Sequence, residues 1–326
     1  MLEVPGTTDV FVNGPREIFA DTGEGPRLLD LSLGSEDEVR SLAVRLAALG
    51  GRRLDDASPY VDVRLPDGVR MNAIVPPISA ETTTISFRVP KRSGFPFTQL
   101  CAEGFVPDEV SPLLAEAVEA RANILISGGT GTGKTALLGA LLSQVGADQR
   151  IVIVEDSREL IVTHPHVVQL AARQANVEGG GEVTLTDLVR NALRMRPDRL
   201  VVGECRGAEV RDMLTALNTG HEGGCATIHA NTADAVPSRV AALGALANMG
   251  PAAVYSQFST AIDLVVHLRR SGTERGVTEL AIPTRTGADG VVMEPVWGRP
   301  SPSAGGTVNR RALARFEAVL EQKSAG

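Results

Sequence analysis

The sequence predicts an α/β protein in which a small N-terminal α/β domain precedes a larger domain built on a mainly parallel sheet. The chain has 326 residues, which exceeds a typical single domain. From about residue 100 onward, apolar strand-like runs alternate with helical stretches, as in parallel sheets covered by helices on both faces. A glycine-rich loop lies between one such strand and the helix that follows it.

The composition of the chain indicates an aliphatic core and argues against several classes of protein. Hydrophobic residues make up 43% of the chain and aromatic residues only 3%, so the core should be mainly aliphatic. A formal net charge of −7 argues against a protein that coats nucleic acid. Three scattered cysteines are too few for a disulfide framework. No apolar run is long enough to cross a bilayer and residues 1–14 lack a signal-peptide pattern, so we expect a cytoplasmic protein.

The N-terminal domain is predicted over residues 1–90. Glu36–Leu49 repeats apolar residues with a helical period, and Leu65-Pro66-Asp67-Gly68 is a hairpin-turn signal. A stretch that contains proline and glycine follows the domain, and residues 91–99 are predicted as a linker. The strands of this domain are expected at Asp9–Val12, Val61–Leu65, Arg70–Ile74 and Thr83–Val89.

The second domain is predicted over residues 100–326, including a C-terminal extension. Its strands are short and aliphatic, and the segments between them have helical periodicity. We expect strands at Asn123–Ser127, Arg150–Val154, Arg199–Gly203 and Cys225–His229, and helices at Lys134–Val145, Leu185–Met195 and Ala208–Leu217. After them we expect short strands within 278–297, a spacer at Pro300–Gly306 and a helix at Arg311–Gln322.

The glycine-rich loop carries the most specific signal. Residues 128–135 fit the phosphate-loop pattern in full, with an apolar strand before them and a helix after them. Glycines let backbone N–H groups converge on phosphate oxygens, and the helix N-terminus favours an anion. Lys134 should reach the β- and γ-phosphates of ATP, and Thr135 should bind Mg²⁺. The predicted nucleotide-binding residues here are Gly128, Gly129, Thr130, Gly131, Thr132, Gly133, Lys134, Thr135 and Ala136. The domain is therefore predicted to be a RecA-like P-loop NTPase domain.

Two later strands end in carboxylates. Ile151–Val154 leads into Glu155, and Leu200–Gly203 leads into Glu204. Residues just past the carboxyl ends of parallel strands line the ligand crevice, beside the phosphate loop. A carboxylate there can hold Mg²⁺ or polarise the attacking water, so Glu155 and Glu204 are predicted as catalytic and metal-associated residues. The aspartate that commonly ends the second strand is replaced by Gly203-Glu204.

Histidines and arginines follow the acidic strands. His221 and His229 lie among small residues and are predicted to contact phosphate, whereas the other three histidines are read as surface or structural groups. Together with Cys205 and Cys225 these two match no standard zinc spacing, so no zinc is expected. Neighbouring subunits of oligomeric ATPases supply arginines that stabilise transition-state charge, and the candidates here are Arg194 and Arg206.

Read together, these motifs resemble the secretion-ATPase superfamily of type II and type IV secretion and type IV pilus motors. The motifs are the phosphate loop, Ile153–Asp156, Met195–Asp198 with Val202–Glu204, and the block from Gly220 to His229. The likeness extends from about residue 8 to 270 and is greatest to the Tad/Flp pilus-assembly branch, on segments such as Val10–Pro15, Asn72–Ile74, Asn176–Gly179 and Asp187–Asp198. For residues 285–326 the sequence indicates no family.

The resemblance implies a mechanism and partners. Glu204 would polarise the lytic water, Glu155 would act near the γ-phosphate, and His221 and His229 would sense nucleotide. Arg70 and Arg88 occupy the positions of N-terminal-domain arginines that close over the phosphates. The family assembles as homo-hexamers that use ATP and Mg²⁺ and move platform proteins of the inner membrane, which implies a protein peripheral to that membrane.

Two other functions remain open on the sequence. Related ATPases drive conjugation, so a nucleic-acid translocase is the alternative, although the acidic charge and the lack of an aromatic-basic groove argue against direct nucleic-acid binding. A small-molecule kinase is the third, because a phosphate loop alone does not name the acceptor.

Overall fold

The computed structural model describes residues 2, 4, 6–23, 25–66, 68–89, 94–173, 175, 180–287 and 290–325. The chain divides into two compact units, Met1–Arg92 with Ala175–Glu182 and Ser93–Gln174 with Val183–Gly326. The predicted linker falls partly outside the described residues, and its residues 97–99 belong to a helix. Asn176–Gly179, one of the segments quoted for the resemblance, also lies outside them. No helix in the described ranges has the length and apolar character needed to cross a membrane.

The first unit is an antiparallel sheet with one helix. The strands lie in the order β3-β2-β1-β6-β5-β4. Apolar residues alternate along them, and one buried face packs with Val39, Ala43 and Ala47 of the helix. The helix begins in a capping box, in which Ser35 and Glu38 bond each other's backbone N–H groups. The elements are β1 (Asp9–Val12), β2 (Ile18–Asp21), β3 (Pro26–Leu28), α1 (Glu36–Leu49), β4 (Tyr60–Arg64), β5 (Arg70–Ile74) and β6 (Thr84–Arg88).

The second unit contains a nine-stranded sheet among its described residues, in the order β15-β14-β13-β12-β7-β11-β10-β8-β9. The six strands from β12 to β9 pair in parallel, and β13, β14 and β15 extend the sheet in antiparallel fashion. The strands are β7 (Ile124–Gly128), β8 (Ile151–Glu155), β9 (Val167–Ala171), β10 (Arg199–Cys205), β11 (Cys225–Ile228), β12 (Leu264–Ser271), β13 (Glu274–Arg285), β14 (Val291–Gly298) and β15 (Thr307–Val308). The predicted α/β class with a mainly parallel sheet is confirmed.

Helices cover both faces of this sheet. Ile124 and Ile126 of β7 face one hydrophobic cluster, and Leu125 between them faces the other, as strand alternation requires. Residues of α2, α3, α4 and α9 join the first cluster, and residues of α5 to α8 join the second. The helices are α2 (Phe97–Ala102), α3 (Ser111–Glu119), α4 (Lys134–Leu142), α5 (Leu185–Ala192), α6 (Glu209–Leu217), α7 (Val236–Leu246), α8 (Pro251–Ala261) and α9 (Arg310–Ser324).

Some predicted boundaries were wrong. The helix expected to reach Val145 ends at Leu142, and the helix expected to reach Met195 ends at Ala192, with a 3₁₀ turn over Leu193–Met195. The short strands expected within 278–297 are the longer β13 and β14. The sequence reading also missed β2, β3, β9, β12, β15, α2, α3, α7 and α8.

Candidate nucleotide-binding and catalytic site

The phosphate loop connects β7 to α4. Gly131 has φ of +71° and Gly133 has φ of +96°, a region that side-chain-bearing residues rarely adopt. A Cβ at Gly133 would also lie 2.8 Å from the Phe105 ring. The backbone N–H groups of residues 130–133 donate to no acceptor in the described part of the chain, although Thr132 Oγ1 donates to the carbonyl of Gly129 at 2.9 Å. Unpaired donors on a glycine-rich loop at a helix N-terminus form an anion-binding cradle.

Lys134 lies at the base of this loop and is only 8% exposed. Its ammonium donates to the carbonyls of Gly128 at 3.0 Å and Gly129 at 2.9 Å. Burial lowers its pKa, and the negative charge of Glu204 acts against that effect. The predicted phosphate-binding lysine is thus brought next to the predicted catalytic acid.

Glu204 is held from two sides at the carboxyl end of β10. Arg206 Nη2 donates to Glu204 Oε2 at 2.6 Å, and His229 Nε2 lies 2.7 Å from Glu204 Oε1. The second contact is short but not aligned as a hydrogen bond, so Oε1 is buried with no hydrogen-bond partner among the described residues. Burial, followed by the charge of Lys134, lowers the pKa of His229, so its ring is neutral near pH 7. The structure therefore places Glu204 Oε1 close to Lys134 and the phosphate loop, and this oxygen accepts no hydrogen bond from the described residues.

Glu155 ends β8, beside β10. It is 3% exposed, and its Oε1 accepts the N–H groups of Glu159 at 2.9 Å and Leu160 at 2.8 Å. A Cβ at Gly203 would lie 2.6 Å from Glu155 Cγ, so the glycine in place of the common aspartate makes room for this carboxylate. Glu155 holds its own loop, and its catalytic and metal-binding roles remain predictions.

Mg²⁺ fits the oxygen donors at this site. Thr135, in the first turn of α4, and the nearby carboxylates supply the hard oxygen ligands that Mg²⁺ prefers. Mg²⁺ in nucleotide sites takes few protein ligands besides phosphate and water. Accordingly, no cluster of three acidic, histidine or cysteine side chains is required, and the described residues contain none.

His221 and Arg194 are not brought to this site. His221 precedes β11 and Arg194 precedes β10, so both lie at the amino edge of the sheet, whereas His229 and Glu204 lie at its carboxyl edge. The carbonyl of Gly223, two residues after His221, accepts a hydrogen bond from Arg199 at the start of β10. This contact places the segment that contains His221 at the amino edge of the sheet. The prediction treated the two histidines as one nucleotide-sensing pair, but β11 separates them, and only His229 belongs to this chain's phosphate loop.

The two predicted arginines of the first unit lie directly opposite each other. Arg70 of β5 is the cross-strand neighbour of Arg88 of β6, and Arg64 of β4 is the neighbour of Arg70 on the other side. Asp9 of β1 is the cross-strand neighbour of Arg88 on its other side, so an acidic residue continues the row. Sequence reasoning found two members of the row and missed Arg64, whose position depends on register.

Two further residues beside the phosphate loop, Ser127 and Arg270, were missed, and His267 was read as a surface or structural group. Ser127 Oγ lies 2.9 Å from His267 Nδ1 in the buried interior, and burial lowers the pKa of His267 to about 4. Arg270 follows along β12, and its Nη1 would lie 3.5 Å from a Cβ at Gly131. No motif marks these side chains, because strand pairing of β12 with β7 brings them to the loop. The structural reading of His267 agrees with its burial.

A family model described as type II/IV secretion system protein matches residues 2–289. The chain belongs to that family. A protein of Mycobacterium tuberculosis, provisionally named as a conjugal transfer protein, is 48% identical over 289 residues, which cover 86% of this chain and 82% of the relative. Conjugal transfer protein TrbB of Rhizobium radiobacter is 34% identical over 69% of this chain and 68% of its own length.

Solved structures agree on the fold. The pilus retraction motor PilT with bound ADP has a TM-score of 0.59 at 20% identity, covering 98% of this chain and 85% of PilT. The ATPase DotB of Legionella pneumophila has a TM-score of 0.57 at 17% identity, covering 99% of this chain and 84% of DotB. The superfamily and the enzyme class predicted from the sequence are confirmed: the chain is a secretion-system ATPase.

Proposed function

We propose that this secretion ATPase hydrolyses Mg²⁺–ATP to drive assembly of a Tad/Flp-type pilus, or protein secretion, through platform proteins of the inner membrane. The observation that carries the proposal is the contact group of Lys134, Glu204, His229 and Arg206 at the mouth of the phosphate loop. It combines a phosphate-binding cation with a carboxylate oxygen that accepts no hydrogen bond from the described residues. The motif likeness to the Tad/Flp branch supports the choice of machine.

Each residue of the group has a chemical task. The N–H groups of residues 130–133 would bind phosphate oxygens, and Lys134 would exchange its loop carbonyls for them. Bound Mg²⁺, held by Thr135 and water near the carboxylates, would neutralise charge on the phosphates. Glu204 Oε1 would orient the attacking water, while Arg206 fixes Oε2.

The active form is proposed to be a homo-hexamer at the cytoplasmic side of the inner membrane. Arg194 and His221 lie at the sheet edge away from this chain's own phosphate loop. In a ring of six, their proposed target is the nucleotide of a neighbouring subunit, where a trans-acting arginine stabilises transition-state charge. Arg70 and Arg88, with Arg64, are proposed to bind nucleotide phosphates.

The relatives named for conjugal transfer support a second candidate, a motor that serves nucleic-acid transfer. The net charge of −7 argues against direct contact with DNA in that role. Phosphate release measured with and without single-stranded DNA separates the two. Unchanged turnover supports a motor that acts on proteins, and strong stimulation supports the conjugation-type translocase.

Replacing Lys134 tests the enzymatic proposal. The variant Lys134→Ala should release no phosphate above background, because it removes the ammonium that lies within the phosphate loop and is proposed to bind the β- and γ-phosphates. Wild-type protein should release phosphate without any acceptor substrate and should run as a hexamer in light scattering after size exclusion. Full turnover in Lys134→Ala would overturn the catalytic assignment, and a strict need for a small-molecule acceptor would indicate a kinase.

A further inference from the structure

Glu209 is a buried carboxylate that the mechanism above does not use. It begins α6, five residues after Glu204, and is 5% exposed. Its Oε1 accepts the N–H groups of Arg206 at 2.6 Å and Gly207 at 2.7 Å. Hydrogen bonds to a charged acceptor are about twice as strong as neutral ones. This one oxygen therefore fixes the loop between β10 and α6.

The same loop sets the position of the Arg206 side chain. From the backbone position that Glu209 holds, the guanidinium reaches back to Glu204 Oε2 at 2.6 Å. Arg206 is about half exposed, so solvent alone would not keep its side chain in one place. The orientation of Glu204 thus depends on Arg206, and the position of Arg206 depends on Glu209.

Cys205 is buried at the end of β10 and directly precedes Arg206. Burial, together with the negative charge of Glu209, raises the pKa of the Cys205 thiol well above its usual value. The thiol is therefore neutral and places no second charge beside the Glu209 carboxylate.

We propose that Glu209 is a positioning residue for hydrolysis, which acts through Arg206 on Glu204. The inference rests on the proposed role of Glu204. Loss of the Glu209 carboxylate should lower kcat and leave KM for ATP unchanged, because the phosphate cradle does not include the β10–α6 loop.

Three variants separate positioning from folding. Glu209→Ala should lower kcat about tenfold or more with KM unchanged, since small misplacements of catalytic groups cost that much. Glu209→Gln should restore most of kcat, because its amide oxygen can accept both N–H groups. The control Asp212→Asn changes a half-buried carboxylate of the same helix that pairs with Arg190 instead, and it should keep wild-type kcat. A Glu209→Ala protein with wild-type kcat, or an equal loss in Glu209→Gln, would overturn the proposal.

A double-mutant cycle tests the route through Arg206. In an Arg206→Ala background, Glu209→Ala should lower kcat no further, because the side chain that it positions is gone. An equal fold loss in both backgrounds would overturn that route. Wild-type turnover in Glu204→Gln would contradict the proposed function itself, whereas an inactive Glu204→Gln beside a fully active Glu209→Ala would contradict only this inference.

Discussion

At the scale of single residues, the candidate site depends on glycines as well as on charged side chains. A Cβ at Gly203 would overlap with Glu155, and a Cβ at Gly133 would overlap with Phe105. Gly133 belongs to the phosphate loop, and Gly203 directly precedes Glu204. A sequence pattern shows that these positions are glycine, but only the structure shows which neighbour needs the space.

Gly203→Ala is expected to lower both activity and stability. A Cβ 2.6 Å from Glu155 Cγ forces the buried carboxylate or β10 to move, and such overpacking costs about 1–3 kcal/mol. The free energy of unfolding from urea titration, together with kcat, measures the effect. Gly305→Ala is the control, since a Cβ at that glycine meets no atom within 4 Å. Two variants of equal stability would contradict the steric reading.

His267 is expected to make stability fall in mild acid. Its pKa of about 4 in the folded chain lies below the ordinary value of 6.5, so the unfolded chain binds the extra proton first. Stability therefore decreases as pH falls from about 6.5 towards 4, by about 2 kcal/mol between pH 7.5 and pH 5. In His267→Gln this part of the pH dependence should vanish, whereas the exposed control His166→Gln should keep it. Identical pH profiles for wild type and His267→Gln would rule out the effect.

At the scale of elements, the C-terminal helix α9 belongs to the hydrophobic core of the second unit. Ala312, Phe316 and Leu320 of α9 are fully buried in the same cluster as Trp297. Near its end, Lys323 lies 3.3 Å from Asp263 and 3.6 Å from Glu222. The sequence indicated no family for residues 285–326, and their helix packs as part of the second unit.

Phe316→Ala is therefore expected to be strongly destabilising. Removing a large buried aromatic side chain from a packed core costs about 3–5 kcal/mol. Glu317→Ala, on the exposed side of the same helix, should stay within about 0.5 kcal/mol of wild type. Urea unfolding of both variants provides the measurement. A Phe316→Ala protein as stable as its control would mean that α9 does not pack on the sheet.

Sequence patterns predicted the elements whose signal is local. The parallel strands β7, β8, β10 and β11 are short aliphatic runs bounded by turn residues, and they were all expected. By contrast, α3, α7 and α8 were missed, although each carries a proline in its first two positions, which is a helix-start signal. Strand β12 was missed; only Ile262 and Asp263 separate its apolar residues from the end of α8.

At the scale of the whole molecule, motif order identified the superfamily, and strand order determined which motif residues meet. The phosphate loop, Glu204 and His229 follow parallel strands and gather at one edge of the sheet. His221 and Arg194 precede such strands and lie at the other edge. Spacing along the chain carries no information about which end of a strand a residue occupies until the strand itself is placed.

The central claim is that Glu204 activates water for ATP hydrolysis, and Glu204→Gln tests it most directly. The amide keeps the size and the contacts of the side chain but cannot accept a proton, so kcat should fall about 100-fold or more. Binding of a fluorescent ATP analogue should remain within a few-fold of wild type, because the N–H groups of residues 130–133 are untouched. Loss of turnover with retained binding is the predicted result, and turnover at the wild-type rate would contradict the account.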